Sequence, residues 1–340
     1  MVFSQQRSAV LIWAVTANFG SAAIEVNMRL LIGYDGSESA DAALADLRRA
    51  GLPRDAEALI LSVADVMKMP ALSSYELVEQ ALVSRRVTSG IILAQTQTSQ
   101  ALKEANQFAS DAAALVKTFF PEWQVQTEAL PGNPARELIA RADEWKPDLV
   151  VVGSHGRSAV GRLLLGSVSK KLVTDLKSSV RVVRRAPDRE HDHVPPKIII
   201  GVDGGTGAER AVRAVGSRVW PTDTEVRLIA VDDGTSPNKI SGILPTTAEL
   251  INGSIHEAAL AASLMVQWAE NELSAIGLRT SAVFKKGEPR RVLVEEARKW
   301  KADSIFVGSR NISGAFERFR LGSVSTALIT SAPCSVEVVR

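Results

Sequence analysis

Short runs of consecutive apolar residues recur along the chain, each broken by a polar or glycine-containing turn and followed by an alanine-rich stretch with helical spacing. Arg29–Gly33 and Lys197–Gly201 are two such runs. Their unbroken apolar character suits strands buried on both faces, as in a parallel sheet covered by helices. Each is followed by Asp-Gly and then by a helical pattern, over Ser37–Ala50 and over Thr206–Val219. Further strand-like runs fall at 58–63, 125–130, 149–152 and 180–183, and again at 226–231, 281–284, 304–307 and 336–339. Helices separate them, including Pro134–Trp145 and Glu288–Trp300, each introduced by a Gly-x-Pro turn that suits a helix start. The alternation predicts an α/β architecture of two tandem open five-stranded parallel sheets, with right-handed crossovers and helices on both faces.

The two halves are copies of one unit. LLIGYDGSESADAAL (30–44) matches IIIGVDGGTGAERAV (198–212), and PGNPARELI (131–139) matches KGEPRRVLV (286–294). WKPDLVVVGSHG (145–156) matches WKADSIFVGSRN (300–311), and GSVSKKLVTDLKSSVRVVR (166–184) matches GSVSTALITSAPCSVEVVR (322–340). Four blocks in one order define a tandem repeat. Asp35 to Asp203 is 168 positions and Gly153 to Gly308 is 155, so the first copy carries about 13 extra residues, assigned to the stretch 67–98 as a longer helix and loop. The polar, Pro-flanked stretch 186–196 reads as a linker. Its His191 and His193 read as solvated, not as metal ligands. The expected domains are 28–186 and 195–340, joined by 187–194.

Residues 1–27 stand apart. Ser8–Val15 is a short apolar run after Arg7, which resembles a weak secretory signal, but Met28 lies directly before the first strand. The segment is taken as a leader, disordered or from a misassigned start. It is too interrupted by Asn18 and Glu25 for a membrane span. Composition adds constraints of its own. Lys and Arg total 40 against 38 Asp and Glu, a net charge of +2, which argues against a clustered basic face for nucleic acid. The single cysteine, Cys334, rules out an intrachain disulfide and a multi-cysteine zinc site, and is expected to pack as a small apolar residue.

In open α/β sheets, ligands sit beyond the carboxyl ends of the strands at the switch point of strand order. After the fourth strand of the first copy comes GSHGRSAVGRLLLGSVS, residues 153–169. Gly153, Gly156 and Gly166 are spaced G-x2-G-x9-G with Ser167 directly after. Glycines let backbone N–H groups approach phosphate oxygens, and a helix opening at Gly166-Ser167 offers free N–H groups and a positive dipole end. The hydroxyls of Ser167 and Ser169 can add hydrogen bonds.

Asp35 after the first strand, Val63 closing the second and this G-x2-G-x9-G-Ser loop together resemble the universal stress protein family, over nearly the whole chain apart from leader and linker. The resemblance implies an ATP-binding fold of strand order 3-2-1-4-5, usually dimeric and more often regulatory than catalytic. By position it implies that Asp35 and Val63 contact adenine, that Val152 lines the pocket, and that Gly153, Gly156, Gly166 and Ser167 hold ribose and phosphates. ATP, with or without Mg2+, is the expected cofactor. In the second copy Asp203, Val231, Gly308, Gly322 and Ser323 match, but Asn311 replaces Gly156 and the loop is one residue longer, so a weak second site at most is expected. The expected partners are the nucleotide and the other repeat, in an intramolecular pseudo-dimer or a homodimer, with no nucleic acid and no membrane, in the cytoplasm. A slow ATPase, a nucleotidyl-transfer enzyme and a non-binding structural tandem are the alternatives. No G-x4-G-K-[ST] motif and no nucleophile paired with a base support an enzyme.

Overall fold

In the computed structural model, residues 28–65, 85–156, 165–184, 194–233, 248–309 and 322–340 are described. The leader 1–27, the histidine pair of the linker, and Asn311 lie outside them. The first half runs β1 (Met28–Gly33), α1 (Glu38–Asp46), β2 (Ala56–Asp65), α2 (Arg85–Phe119), β3 (Gln124–Gly132), α3 (Pro134–Trp145), β4 (Leu149–Gly153), α4 (Ser167–Asp175) and β5 (Ser179–Val183). The second repeats the order as β6 (Lys197–Val202), α5 (Thr206–Gly216), β7 (Glu225–Asp232), α6 (Ala248–Ala275), β8 (Arg279–Lys286), α7 (Pro289–Trp300), β9 (Ser304–Gly308), α8 (Ser323–Ser331) and β10 (Ser335–Val339). Part of the extra length of the first copy is helical: α2 has 35 residues and α6 has 28.

Local chemistry fixes the helix ends. The Ser37 hydroxyl accepts from Ala40 N at 3.2 Å and the Asn133 side chain from Arg136 N at 3.1 Å, both as N-caps. Lys146 and Lys301, at equivalent positions, end α3 and α7 in the left-handed region, with φ of 51° and 55°. The predicted helix 37–50 is shorter than expected, because α1 stops at Asp46 and a 3-10 turn, Leu47–Arg49, finishes the segment.

Each half has the expected order 3-2-1-4-5 with parallel neighbours. The expectation of two separate sheets is corrected. There is one ten-stranded sheet, β3-β2-β1-β4-β5-β10-β9-β6-β7-β8, joined where β5 and β10 pair antiparallel. An edge strand presents a row of unpaired N–H and C=O groups. Two valine-rich edges satisfy one another here, with Val182 opposite Val336, Arg181 opposite Glu337 and Val180 opposite Val338.

The faces of the sheet differ. On one, α3, α4, α7 and α8 cover a core continuous across both halves, including Leu138, Leu172, Val182, Leu293, Leu328, Cys334 and Val336. Trp145 and Trp300, at the ends of equivalent helices, pack against it. On the other, α1 and α2 cover one core and α5 and α6 a second. Between these two lies a buried ion network. Arg181 and Glu337, both wholly inaccessible, are 3.3 Å apart. Arg181 also meets Asp46 at 2.6 Å, and Arg218 pairs with Glu337. Burial alone pushes the Arg181 guanidinium toward neutrality, but the carboxylates of Asp46 and Glu337 outweigh it and hold the group above its ordinary value.

The last arginines reinforce the join. Arg184 donates to the carbonyls of Ile329, at 2.9 Å, and Thr330, in the last turn of α8. Arg340 donates to Val173 O in the last turn of α4. Each half thus supplies a cation to the negative end of the other half's final helix. Burial lowers the pKa of both, that of Arg340 to about 10 against the opposing pull of Asp175.

Asp46→Ala leaves the Arg181 guanidinium with one of its two carboxylates. Urea denaturation is expected to show a loss of about 3 kcal/mol, the scale for breaking a buried pair. A change below about 0.5 kcal/mol, typical of an unremarkable surface site, would show that the network does not hold the join.

Candidate functional site

The chain leaving β1 is pinned before it reaches Asp35. Tyr34 N donates to Leu61 O at 3.0 Å, and the Tyr34 hydroxyl to Asp41 Oδ1 at 2.5 Å. Burial, then the hydrogen bond to Asp41, raises the Tyr34 pKa, so the phenol stays a donor. Asp35 Oδ1 accepts from Ser37 N at 3.1 Å, an Asx turn. Gly36, at φ +73°, lies under Phe108 of α2, whose ring a Cβ would approach to 2.7 Å. The Asp-Gly pair is therefore fixed by packing as well as by the turn.

Beside β1, the end of β4 meets the start of α1. A Cβ on Gly153 would stand 2.7 Å from the carbonyl carbon of Ser39, so only glycine permits this approach. Ser154 N donates to Val183 O at 2.9 Å, and His155 N to the Ser39 hydroxyl at 3.2 Å. The loop closes on itself where Gly166 N donates to Ser154 O at 2.7 Å. Its interior, 157–164, lies outside the described residues. A Cβ on Gly166 would be 3.1 Å from His155 Cα, and one on Gly156 would be 2.9 Å from Asp35 Oδ2. Asp35, Gly156 and Gly166 are thus brought together at the carboxyl ends of β1 and β4.

The remaining expected residues take different places. Ser167 is exposed at the first turn of α4, whose N-cap Gly166 provides no side-chain hydrogen bond. Ser169 is buried, and its hydroxyl donates to Gly153 O at 2.6 Å. Its proton is engaged at the root of the loop. Val63 and Val152 bury their side chains in the continuous core, so they border the cleft through their backbone. Lys170 and Lys171 are exposed, and Lys171 pairs with Asp175 along the helix, as a solvated face does. The His155 ring lies 2.9 Å from the Ser154 hydroxyl through Nδ1. Ser39 and Ser154 are the contributors that sequence reasoning missed. Neither belongs to a glycine spacing, and only the fold brings them together.

In the second half, Asp203 Oδ1 accepts from Gly205 N at 3.0 Å, and Gly204 takes φ +77° against α6. Gly308 is required again, since a Cβ there would overlap the Gly207 carbonyl. Val231 ends β7 half-buried, and Gly322 and Ser323 open α8. Two differences appear besides the loop. Gly207 stands where the first half has Ser39, so no hydroxyl is available there. Arg210, where the first half has Ala42, donates from Nη2 to Ser309 O at 2.8 Å. That carbonyl is the counterpart of Ser154 O, which closes the first loop.

A doubly wound sheet with an acid after its first strand and a glycine-lined cleft after its fourth defines a nucleotide-type α/β fold. The model of the universal stress protein family matches residues 27–184 and 196–340. A universal stress protein of Mycolicibacterium smegmatis is 28% identical over 311 residues, covering 92% of this chain and 96% of that one. One from Methanocaldococcus jannaschii is 30% identical over 167 residues, covering 48% of this chain and 84% of that protein. The crystal structure of a universal stress protein from Archaeoglobus fulgidus shares the fold, with a TM-score of 0.57 at 18% identity, over 92% of this chain and 98% of that one. The chain belongs to the universal stress protein family, as a tandem two-domain member. Among the described residues, no helix is long and apolar enough to cross a membrane and no cluster of three or more His, Cys, Asp or Glu offers a metal site.

The two loop glycines are expected to respond differently to alanine. Gly153→Ala drives a methyl into the backbone of α1 and should lower stability by about 2 kcal/mol. Gly156→Ala meets only the movable end of Asp35 and should change stability by less than about 1 kcal/mol. Thermal unfolding of both variants checks the contrast, and equal losses would contradict it.

Proposed function

We propose that the first half binds ATP, with or without Mg2+, and that the protein acts as a nucleotide-dependent regulator in a stress response, not as an enzyme. The carrying observation is the convergence of Asp35 with Gly156 and Gly166 at the carboxyl ends of β1 and β4. The exocyclic amino group of adenine is a donor, and the Asp35 carboxylate would accept from it. The edges of Val63 and Val152 would border the base. The backbone N–H groups around Gly153, Gly156 and Gly166 and at the first turn of α4, with the exposed Ser167 hydroxyl, would hold ribose and phosphates. Ser169 acts in this reading as the brace of the loop root.

The reading takes 28–186 and 195–340 as the two domains and places the protein in the cytoplasm. A dimer of chains through the last strands has no part in it, because β5 and β10 already pair with each other. The second half, with Asp203, Val231, Gly308, Gly322 and Ser323 in place, is a weak site or a structural copy. Arg210 on the Ser309 carbonyl and Gly207 in place of Ser39 favour the structural role.

Titration of the full chain with ATP in a calorimeter is expected to give one strong site. Asp35→Ala and Gly156→Asn should each weaken it at least about tenfold, since losing one charge-assisted hydrogen bond removes roughly 1.5–3 kcal/mol. Asp203→Ala should leave it within about twofold. Absence of ATP binding, or equal losses from Asp35→Ala and Asp203→Ala, would overturn the reading.

A further inference from the structure

The residues at the join do not obey the repeat. Arg181 and Glu337 occupy equivalent positions, 156 apart like Gly166 and Gly322, and they face each other in register across β5 and β10. One position thus carries opposite charges in the two copies and meets itself across the pseudo-twofold axis. Their supports are unequal as well. Asp46, which holds Arg181, corresponds to Ala214, and Arg218, which holds Glu337, corresponds to Ala50. Arg218 also reaches across to donate to the Ala50 carbonyl at 2.9 Å, and the Ser335 hydroxyl donates to Asp46 Oδ1 at 2.8 Å.

Shape follows the same rule. Val219 N donates to Gly51 O at 3.0 Å across the join, and these two positions are equivalent in the repeat. Gly51, at φ +64°, leaves the space that the Trp220 ring fills; a Cβ there would come within 2.6 Å of the indole. The counterpart of Trp220 is Leu52. The indole is fixed by Nε1 donating to Val215 O at 2.7 Å and by its edge on Phe306.

We propose that the join is a keyed, heterotypic interface: the first repeat fits the second, and neither fits a copy of itself. Pairing two first repeats would set Arg181 against Arg181 in a wholly buried register position. Like charges directly opposed in a sheet are destabilising. Pairing two second repeats would oppose Glu337 to Glu337 and drive each Trp220 ring into Val219. It would also bring a second Arg218 to the place where Ala50 presents only a methyl. The surface is selective by repulsion and by shape. The partner for each edge is the other repeat, from the same chain or from a second one, and the edge is closed to a self-match.

The full chain with a protease site in place of residues 188–191 tests this. The cleaved protein, in labelled and unlabelled preparations, is mixed, taken briefly through urea and returned to buffer, and its pairs are weighed by native mass spectrometry. Only pairs of one first and one second repeat are expected. Pairs of two first or two second repeats in the proportions of random assortment would overturn the proposal, as would failure of any pairs to re-form from halves that each regain their helical signal. Two substitutions test the keys without refolding. Gly51→Val and Glu337→Arg are each expected to weaken association of the cleaved halves at least about tenfold. Arg181→Glu with Glu337→Arg should recover part of what each charge reversal loses alone. If neither single substitution weakens the pair, or the double reversal merely adds the two losses, the keyed interface is wrong.

Discussion

Two ionised side chains with no access to water, Arg181 and Glu337, face each other at the centre of the ten-stranded sheet. Removing either group's hydration is expensive, and mutual attraction repays it only when further partners complete the set. Asp46 and Arg218 add to it, one from each half, so a quartet of two acids and two bases spans the gap between two apolar cores, with only Nη2 of Arg181 left without a hydrogen bond among its described surroundings. A hydrophobic join would have held the halves together, but it would not have distinguished them. The quartet ties the middles of β5 and β10 and the end of α1 to one relative placement, and the sheet on either side inherits that placement.

The antiparallel join has a geometric effect on the candidate sites. Strands within each half are parallel, and the direction reverses between β5 and β10. The carboxyl ends of β1 and β4 therefore open at one border of the sheet, and those of β6 and β9 at the opposite border. The two clefts do not share a ligand or a loop. Each half has been free to change its own cleft without disturbing the other, which fits Arg210 and Gly207 in one and Ala42 and Ser39 in the other. Each loop root is tied to its own joining strand, since Ser154 N and Ser309 N donate to Val183 O and Val339 O, the last residues of β5 and β10.

Much of this was legible in the sequence because it depends on short-range rules. Apolar runs bounded by Gly and Asp marked the strands, Gly-x-Pro the starts of α3 and α7, and four repeated blocks the tandem organisation, while the strand order within each half came from the family resemblance. The convergence of Asp35 with Gly156 was legible only through the fold family, since nothing in the 120 intervening positions reports it directly. The fusion into one sheet, the commitment of Ser169 to Gly153 O and the Ser39 contact with His155 were not. These arise from residues 16 to 158 positions apart, each unremarkable in its own window. The quartet was invisible for another reason: Asp46, Arg181, Arg218 and Glu337 look like ordinary surface charges until the partner strand covers them.

The place of β10 in the chain has a consequence for synthesis. It is made after every other strand described, yet it fills the centre of the sheet, between β5 and β9. While the second half is being translated, β5 stands as a bare, valine-rich edge, with Arg181 neutralised only by Asp46 and the last turn of α4 lacking Arg340. Contacts of such long sequence separation form late and slowly. A nascent chain of this protein therefore carries an open template for strand addition while its second half is translated, and the charge on that template serves during this interval as its protection against misassembly.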